Sequence, residues 1–180
     1  MNKIIVIAIL MGSFSSMAQT SVFDKYDGKD EVTTIVVNQK MFELMAKFGG
    51  SSSEAKEYAE MVGGLSSLKV FTTENLALAS DMEKTVNSYL KSSKLTELMR
   101  INDDDAQVKI YIVEGKDEDH VKELLMFVNG IKNRVNAVEG HSAEAVIISL
   151  TGDIDLNRIA ELTEEMNISG SEHLKNAKKK

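Results

Sequence analysis

The spacing of apolar positions changes several times along the first half of the chain. Val32 to Asn38 is rich in β-branched residues and predicts a strand. The apolar residues between Met41 and Phe48 recur instead at the spacing of one helical face, and Gly49-Gly50 ends that helix. A short helix over Glu54 to Val62 and a strand over Leu68 to Thr72 follow. This half therefore reads as strand, two helices and strand.

The longest predicted helix runs from Glu74 to about Leu90, with Thr73 as its N-cap. Its apolar stripe repeats at steps of three and four residues and consists of Leu76, Ala79, Met82, Val86 and Leu90. After it the period becomes that of strands. Three further strands are predicted, over Leu95 to Ile101, Gln107 to Val113 and Ala145 to Leu150.

Val121 to Val128 fits two structures. Asp119 can cap it as a helix. Turn residues flank it on both sides, around Gly115 before it and at Asn129-Gly130 after it, and such flanking turns are typical of a strand. We favour the strand. Residues 131 to 139 predict a weak strand or loop. A last helix is predicted after Gly152-Asp153, with an apolar stripe of Leu156, Ile159, Ala160, Leu162 and Met166.

This order of elements predicts an α+β fold, mainly an antiparallel sheet meander with helices packed on one side. No internal repeat or Gly/Ser-rich linker divides the chain. We expect a flexible lead-in over residues 19–31, a single domain over 32–169 and a disordered tail over 170–180.

The first residues have the pattern of a secretory signal peptide over residues 1–18. Lys3 supplies a positive charge, Ile4 to Met11 is an apolar run, and Ser16-Met17-Ala18 is a small-x-small triplet. Cleavage is predicted between Ala18 and Gln19. The apolar run is less than half of the roughly 20 residues that a membrane anchor needs. We therefore expect a periplasmic or secreted protein without a stable membrane anchor.

Composition excludes several functions. The chain contains no Cys, so disulfides, thiolate metal sites and Cys nucleophiles are excluded. Removal of Lys3 with the signal peptide changes the net charge from −7 to −8. An acidic chain without a basic footprint argues against binding to nucleic acid or to an anionic membrane surface.

Several sequence segments in the second half of the chain resemble those of a known family. They are the predicted strand segment from Leu95 to Asp104, the segments that start at Val108 and Val121, and above all the segment from Ala145 to Leu156. Together with the signal-peptide pattern at the N-terminus, these segments resemble the bacterial family called domain of unknown function 4252, found mainly in Bacteroidetes. The resemblance implies a cell-envelope location and one α+β domain, with no assigned activity. Some members look like lipoproteins, and this chain departs from them by lacking the Cys.

No pattern for catalysis, a cofactor or a metal stands out. The acidic turn Asp103-Asp104-Asp105 lacks the alternating ligands, the Gly and the distant acid of a calcium loop. Among the three His residues, His120 lies beside acids, but neither His141 nor His173 pairs with it at metal-binding spacing. We therefore predict no catalytic, cofactor-binding or metal-binding residues.

The remaining hypothesis concerns the sheet. A meander with helices on one side leaves its other face open, and an apolar patch there would mark a binding site. The candidate residues are Leu98, Tyr111 and Leu124. The leading prediction is a non-enzymatic domain that binds an unknown protein or an apolar ligand in the cell envelope. The alternatives are a hydrolase that uses Asp/Glu carboxylates, which would need two facing acids, and an accessory protein of envelope stress or regulation.

Overall fold

The computed structural model describes residues 21–48, 53–103, 107–130 and 143–158. Six strands form one antiparallel sheet in the order β1-β2-β6-β5-β4-β3. The strands are β1 (Val32–Asn38), β2 (Leu65–Thr73), β3 (Thr96–Asn102), β4 (Gln107–Glu114), β5 (His120–Asn129) and β6 (Ala145–Asp155). The helices are a 3-10 turn (Asp24–Tyr26), α1 (Gln39–Phe48), α2 (Ser53–Gly63) and α3 (Leu76–Ser92). The predicted α+β class with an antiparallel sheet is confirmed.

One face of the sheet, which we call the helix-3 face, packs against α3. The α3 side chains Ala79, Met82 and Val86 are buried there. Strand residues at alternate positions meet them, because successive side chains of a strand point to opposite faces. Those strand residues are Phe71, Tyr111, Leu125, Phe127, Ala145 and Ile147. The predicted stripe of α3 is thus buried at its three central positions.

The other face, which we call the opposite face, packs against α1 and α2. Phe42 of α1 and Val62 of α2 are buried in a second cluster with Leu65, Val121, Leu150 and Ile154. Leu150 lies three residues from Ile147 along β6, so the two side chains leave the sheet on different sides. Helices therefore lie on both faces and not on one side alone. The reason is that β2, β5 and β6 carry apolar side chains in both directions, so each face needs cover.

The segment before β1 is part of the core. A flexible lead-in was predicted over residues 19–31, but Phe23 and Tyr26 are 1% and 0% exposed. The Tyr26 hydroxyl donates to the Asp81 carboxylate at 2.8 Å and lies 2.8 Å from the Thr85 hydroxyl, both on α3. Two aromatic rings and these hydrogen bonds outweigh the polar residues that led to the prediction of a mobile segment.

The predicted elements are present, and their ends differ by a few residues. Residues 121–128 lie in strand β5, as the flanking turns indicated. Asn75 caps α3, its side chain accepting from the backbone of Ala77 and Leu78, whereas Thr73 is buried in β2 and donates to the Glu31 carbonyl. Asn75 is the N-cap because β2 extends through Thr73 and the helix begins only at Leu76.

Several predictions fall outside the described residues. They are the signal peptide, the weak strand or loop over residues 131–139, the acidic pair Asp104-Asp105, and the chain from residue 159 onward. Of the predicted last helix, residues 156–158 are described and are helical.

Candidate functional site

A groove of about 370 Å³ lies on the helix-3 face, where α3 approaches its C-terminal end. Its floor consists of strand side chains in two neighbouring cross-strand rows. Lys69 and Ser149 lie in one row, and Ser67, Thr151 and Glu123 lie in the next. We call this site the polar groove. Its size falls within the range of small-molecule sites in proteins.

The floor is polar because of where α3 crosses the sheet. Phe71 of β2 and Ile147 of β6 are paired in register and fully buried under the helix. Two residues further along each strand, on the same face, the side chains are Lys69 and Ser149. The strands therefore change from apolar to polar side chains on this face within one step of the pleat.

Glu123 is the central ionisable group of the polar groove. The Tyr89 hydroxyl, from the last turns of α3, lies 2.9 Å and 3.1 Å from the two carboxylate oxygens and donates to them. Burial raises the pKa of Glu123, and the hydrogen bond from Tyr89 opposes that rise only in part. Burial and the neighbouring carboxylate together raise the pKa of Tyr89 to about 12. Tyr89 is therefore a neutral hydrogen-bond donor at physiological pH.

The N-terminal segment forms the other wall. Ser21 and Val22 line the groove, and the Asp24 carboxylate pairs with the Lys69 ammonium at 2.5 Å. The Phe23 ring meets the Tyr89 ring edge-on, with centroids 5.4 Å apart. The segment that was predicted to be mobile thus positions both Lys69 and Tyr89.

The charges in the polar groove do not balance. Lys69 is neutralised by Asp24, so ionised Glu123 leaves a net negative charge beside the hydroxyls of the Ser and Thr side chains that line the groove, namely Ser21, Ser67, Ser149 and Thr151. Hydroxyls donate and accept hydrogen bonds, and the carboxylate only accepts them. This set of groups suits a small polar ligand that is neutral or positively charged, and it disfavours an anion.

The groups of the polar groove do not form a metal site or a carboxylate pair. No set of three His, Asp or Glu side chains suited to a metal occurs among the described residues. Glu123 is the one carboxylate among the residues that line the groove, and Asp24 nearby is held by Lys69. In the part of the chain that the structure describes, the two facing acids of a carboxylate hydrolase are therefore not found at this site.

The structure does not bring Leu98, Tyr111 and Leu124 together. Tyr111 is buried in the cluster under α3, and Leu124 packs against the cluster on the opposite face. Leu98 lies at a register irregularity of β3, between Glu97 and Met99. The residues of the polar groove were missed because their neighbourhood depends on strand register. The clearest signal in the sequence was the polar side chain of Ser149 inside the apolar run from Ala145 to Leu150.

His120 is the first residue of β5 and adjoins the turn that follows β4. Its Nδ1 atom is 2.6 Å from the Asp117 carboxylate, and this hydrogen bond lowers the pKa of Asp117. Both side chains line a surface hollow with Glu118 and Lys116. The local hydrogen bonds account for this arrangement as a polar turn.

In the described residues, none of the helices combines the length and apolar character that crossing a bilayer requires. Neither the curated proteins nor the solved structures include a match to this chain. A family model does match, over residues 26–162, and its description is a domain of unknown function, DUF4252. The match covers the six strands and three α-helices that the structure describes. The chain therefore belongs to the DUF4252 family.

Proposed function

We propose that this protein is an exported, non-enzymatic binding domain that takes a small polar ligand, neutral or cationic, into the polar groove. The observation that carries this proposal is Glu123. It is a partly buried carboxylate with a raised pKa, and its one described side-chain partner is the Tyr89 hydroxyl. A carboxylate that burial disfavours gains most from a ligand that donates hydrogen bonds or brings a positive charge.

The export part of the proposal rests on the amino-terminal sequence. Lys3, the apolar run that follows it and the Ser16-Met17-Ala18 triplet match a signal peptide. The mature chain would begin at Gln19, two residues before the wall of the polar groove at Ser21.

A raised carboxyl pKa is also found in general acids, so a hydrolase remains the alternative function. The geometry favours binding because a hydrolysis of the two-carboxylate type needs a second free acid across the groove. The acid present there, Asp24, forms an ion pair with Lys69.

The proposal is tested by native mass spectrometry of the mature protein recovered from the envelope of its own host. We expect a small molecule to co-purify with the wild-type protein. The Glu123→Gln variant should lose it, whereas Glu114→Gln, at the exposed end of β4, should keep it. Retention of the same molecule by Glu123→Gln would contradict binding in the polar groove.

A further inference from the structure

β1 is an edge strand of the sheet whose outer side is open. Among the described residues it pairs with β2 on one side, and no strand pairs with its other side. Two adjacent side chains near its middle, Ile35 and Val36, are 53% and 49% exposed. They point to opposite faces of the sheet, because successive side chains of a strand alternate. The edge is therefore accessible on both faces.

β1 also lacks the features that keep an edge strand from pairing, which are charged residues, prolines and bulges. It contains no charged residue and no proline, and its seven residues pair with β2 in unbroken register. The other edge strand, β3, has a register irregularity between Glu97 and Met99, and an ion pair joins Arg100 to Glu97. Of the two edges, β1 is therefore the one suited to pairing with a further strand.

The sequence of β1 is compatible with an identical strand that runs antiparallel to it. A two-fold axis perpendicular to the sheet at Ile35 pairs all seven residues of β1 with those of a second copy. The pairs are Ile35 with Ile35, Thr34 with Val36, Thr33 with Val37, and Val32 with Asn38. In each pair both side chains lie on the same face, and β-branched residues directly opposite each other stabilise antiparallel strands.

The residues that flank β1 favour the antiparallel direction. Asp30 and Glu31 come directly before the strand, and the first charged residue after it is Lys40. In an antiparallel pair the acidic end of each copy meets the Lys40 end of the other, whereas a parallel pair would place like charges together. Lys40 forms an ion pair with Glu43 at 2.9 Å, but its side chain is still 71% exposed.

α1 adds apolar surface beside this edge. It follows β1 directly and packs on β2 and β1. Its side chains Met41, Leu44 and Phe48 are exposed, and their spacing of three and four residues places them on one side of the helix. Phe48 is 81% exposed, which is unusual for a large aromatic side chain. The two copies of α1 would lie on the same side of the joined sheet.

The dimensions of this surface fit a reversible dimer. β1 is about 24 Å long, and a sheet with its side chains is about 10 Å thick. The exposed side of α1 adds a strip about 15 Å long and 10 Å wide. The contact is then about 400 Å² per copy, about half of what a stable interface buries on each partner. We therefore expect a dissociation constant in the micromolar range or above.

We propose that two copies of this chain pair through β1, antiparallel and about a two-fold axis at Ile35, and so join their six-stranded sheets into one. The axis uses the β1 edge of both copies, so the assembly closes at two. Because the axis is perpendicular to the sheet, both polar grooves open on the same side of the dimer. The proposal does not depend on what the polar groove binds.

Sedimentation of the mature chain, which begins at Gln19, over a hundredfold range of concentration tests the dimer. We expect the wild type to show a monomer–dimer equilibrium. Ile35→Lys should raise the dissociation constant at least tenfold, because it places two ammonium groups directly opposite each other. Ile101→Lys, at an exposed residue of the other edge strand, should leave it unchanged. A wild type that stays monomeric throughout, or a dimer that Ile35→Lys does not weaken, would overturn the proposal.

The position of the axis is tested by cross-linking, since the chain contains no Cys. Ile35→Cys places the two thiols directly opposite each other. Thr33→Cys, on the same face of the same strand, separates them by four residues, about 14 Å along the strand. Under mild oxidation we expect Ile35→Cys to form a disulfide-linked dimer at least tenfold faster than Thr33→Cys. Equal rates, or faster cross-linking of Thr33→Cys, would contradict an axis at Ile35.

Discussion

At the scale of single residues, Glu123 and Phe23 show how one side chain sets the character of a whole surface. Glu123 occupies an inward strand position on the helix-3 face, where a larger apolar side chain would extend the core. Phe23 holds the N-terminal segment against Tyr89 and so forms a wall of the polar groove. Both residues can be tested by substitution.

The raised pKa of Glu123 predicts how stability depends on pH. The folded protein holds the Glu123 proton more tightly than the unfolded chain, so stability falls as pH rises from about 4.3 through the folded pKa. The destabilising effect is therefore larger at pH 7 than at pH 4. Glu123→Gln removes the charge and keeps an acceptor for Tyr89, so its Tm should exceed that of the wild type at pH 7.

Thermal denaturation between pH 7 and pH 4 measures this effect. The difference in Tm between Glu123→Gln and wild type should shrink towards zero as the pH falls to 4. The same pH series with Glu114→Gln, an exposed residue, serves as the control. A Tm difference for Glu123→Gln that stays constant over this pH range would show that the effect is not electrostatic.

Phe23→Ala tests whether the segment before β1 belongs to the core. Phe23 is 1% exposed, and truncation of a buried Phe costs about 3–5 kcal/mol in the free energy of unfolding. Val22→Ala, at a side chain that is 46% exposed, should change it by less than about 1 kcal/mol. Chemical denaturation of both variants gives the comparison, and equal small losses would mean that the segment is not packed in solution.

At the scale of elements, the close approach of β2 and β6 depends on two glycines. Gly152 has a φ of +140°, and a Cβ atom built on it would lie 2.4 Å from the Gly64 carbonyl oxygen. This contact is with backbone, which cannot move aside as a flexible side chain can. The register of β2 on β6 shifts at the same place, between Leu65 and Ser67.

Gly152→Ala should therefore destabilise the fold by about 1–3 kcal/mol or more, because strain and overlap with the backbone add together. Gly63→Ala is the matched control, since a Cβ there would meet nothing within 4 Å. Circular dichroism melts of the two variants are compared. A Tm for Gly152→Ala as high as that for Gly63→Ala would show that β2 and β6 are less close than in the structure.

The elements were predictable where local pattern and long-range packing agree. β1 has the predicted bounds, Val32–Asn38, and the strand preference for residues 121–128 is confirmed because turn residues bound that segment. The distribution of helices over both faces was not predictable, since it depends on which way each connection crosses the sheet. The polar groove was also hidden, because Lys69, Ser149 and Glu123 become neighbours only through the register of three strands.

At the scale of the whole molecule, the two faces of the sheet are incompletely covered in different places. On the helix-3 face the region beyond the core is polar and contains Lys69 and Glu123. On the opposite face the region beyond α1 and α2 is apolar and contains Ile148 and Met126. A polar site can stay open to solvent at little cost, whereas apolar surface is stabilised by cover. In the part of the chain that the structure describes, the polar groove is therefore the region that suits a soluble ligand.

The most direct test of the central claim is a titration followed by amide NMR spectra of the mature protein. Ethanolamine, glucose and acetate serve as a cationic, a neutral and an anionic probe. We predict that ethanolamine and glucose shift the amide signals of Ser149, Thr151 and Glu123, that acetate does not, and that Glu123→Gln abolishes the shifts caused by ethanolamine. Shifts caused by acetate alone, or ethanolamine shifts at these residues that persist unchanged in Glu123→Gln, would contradict a polar-ligand site built on Glu123.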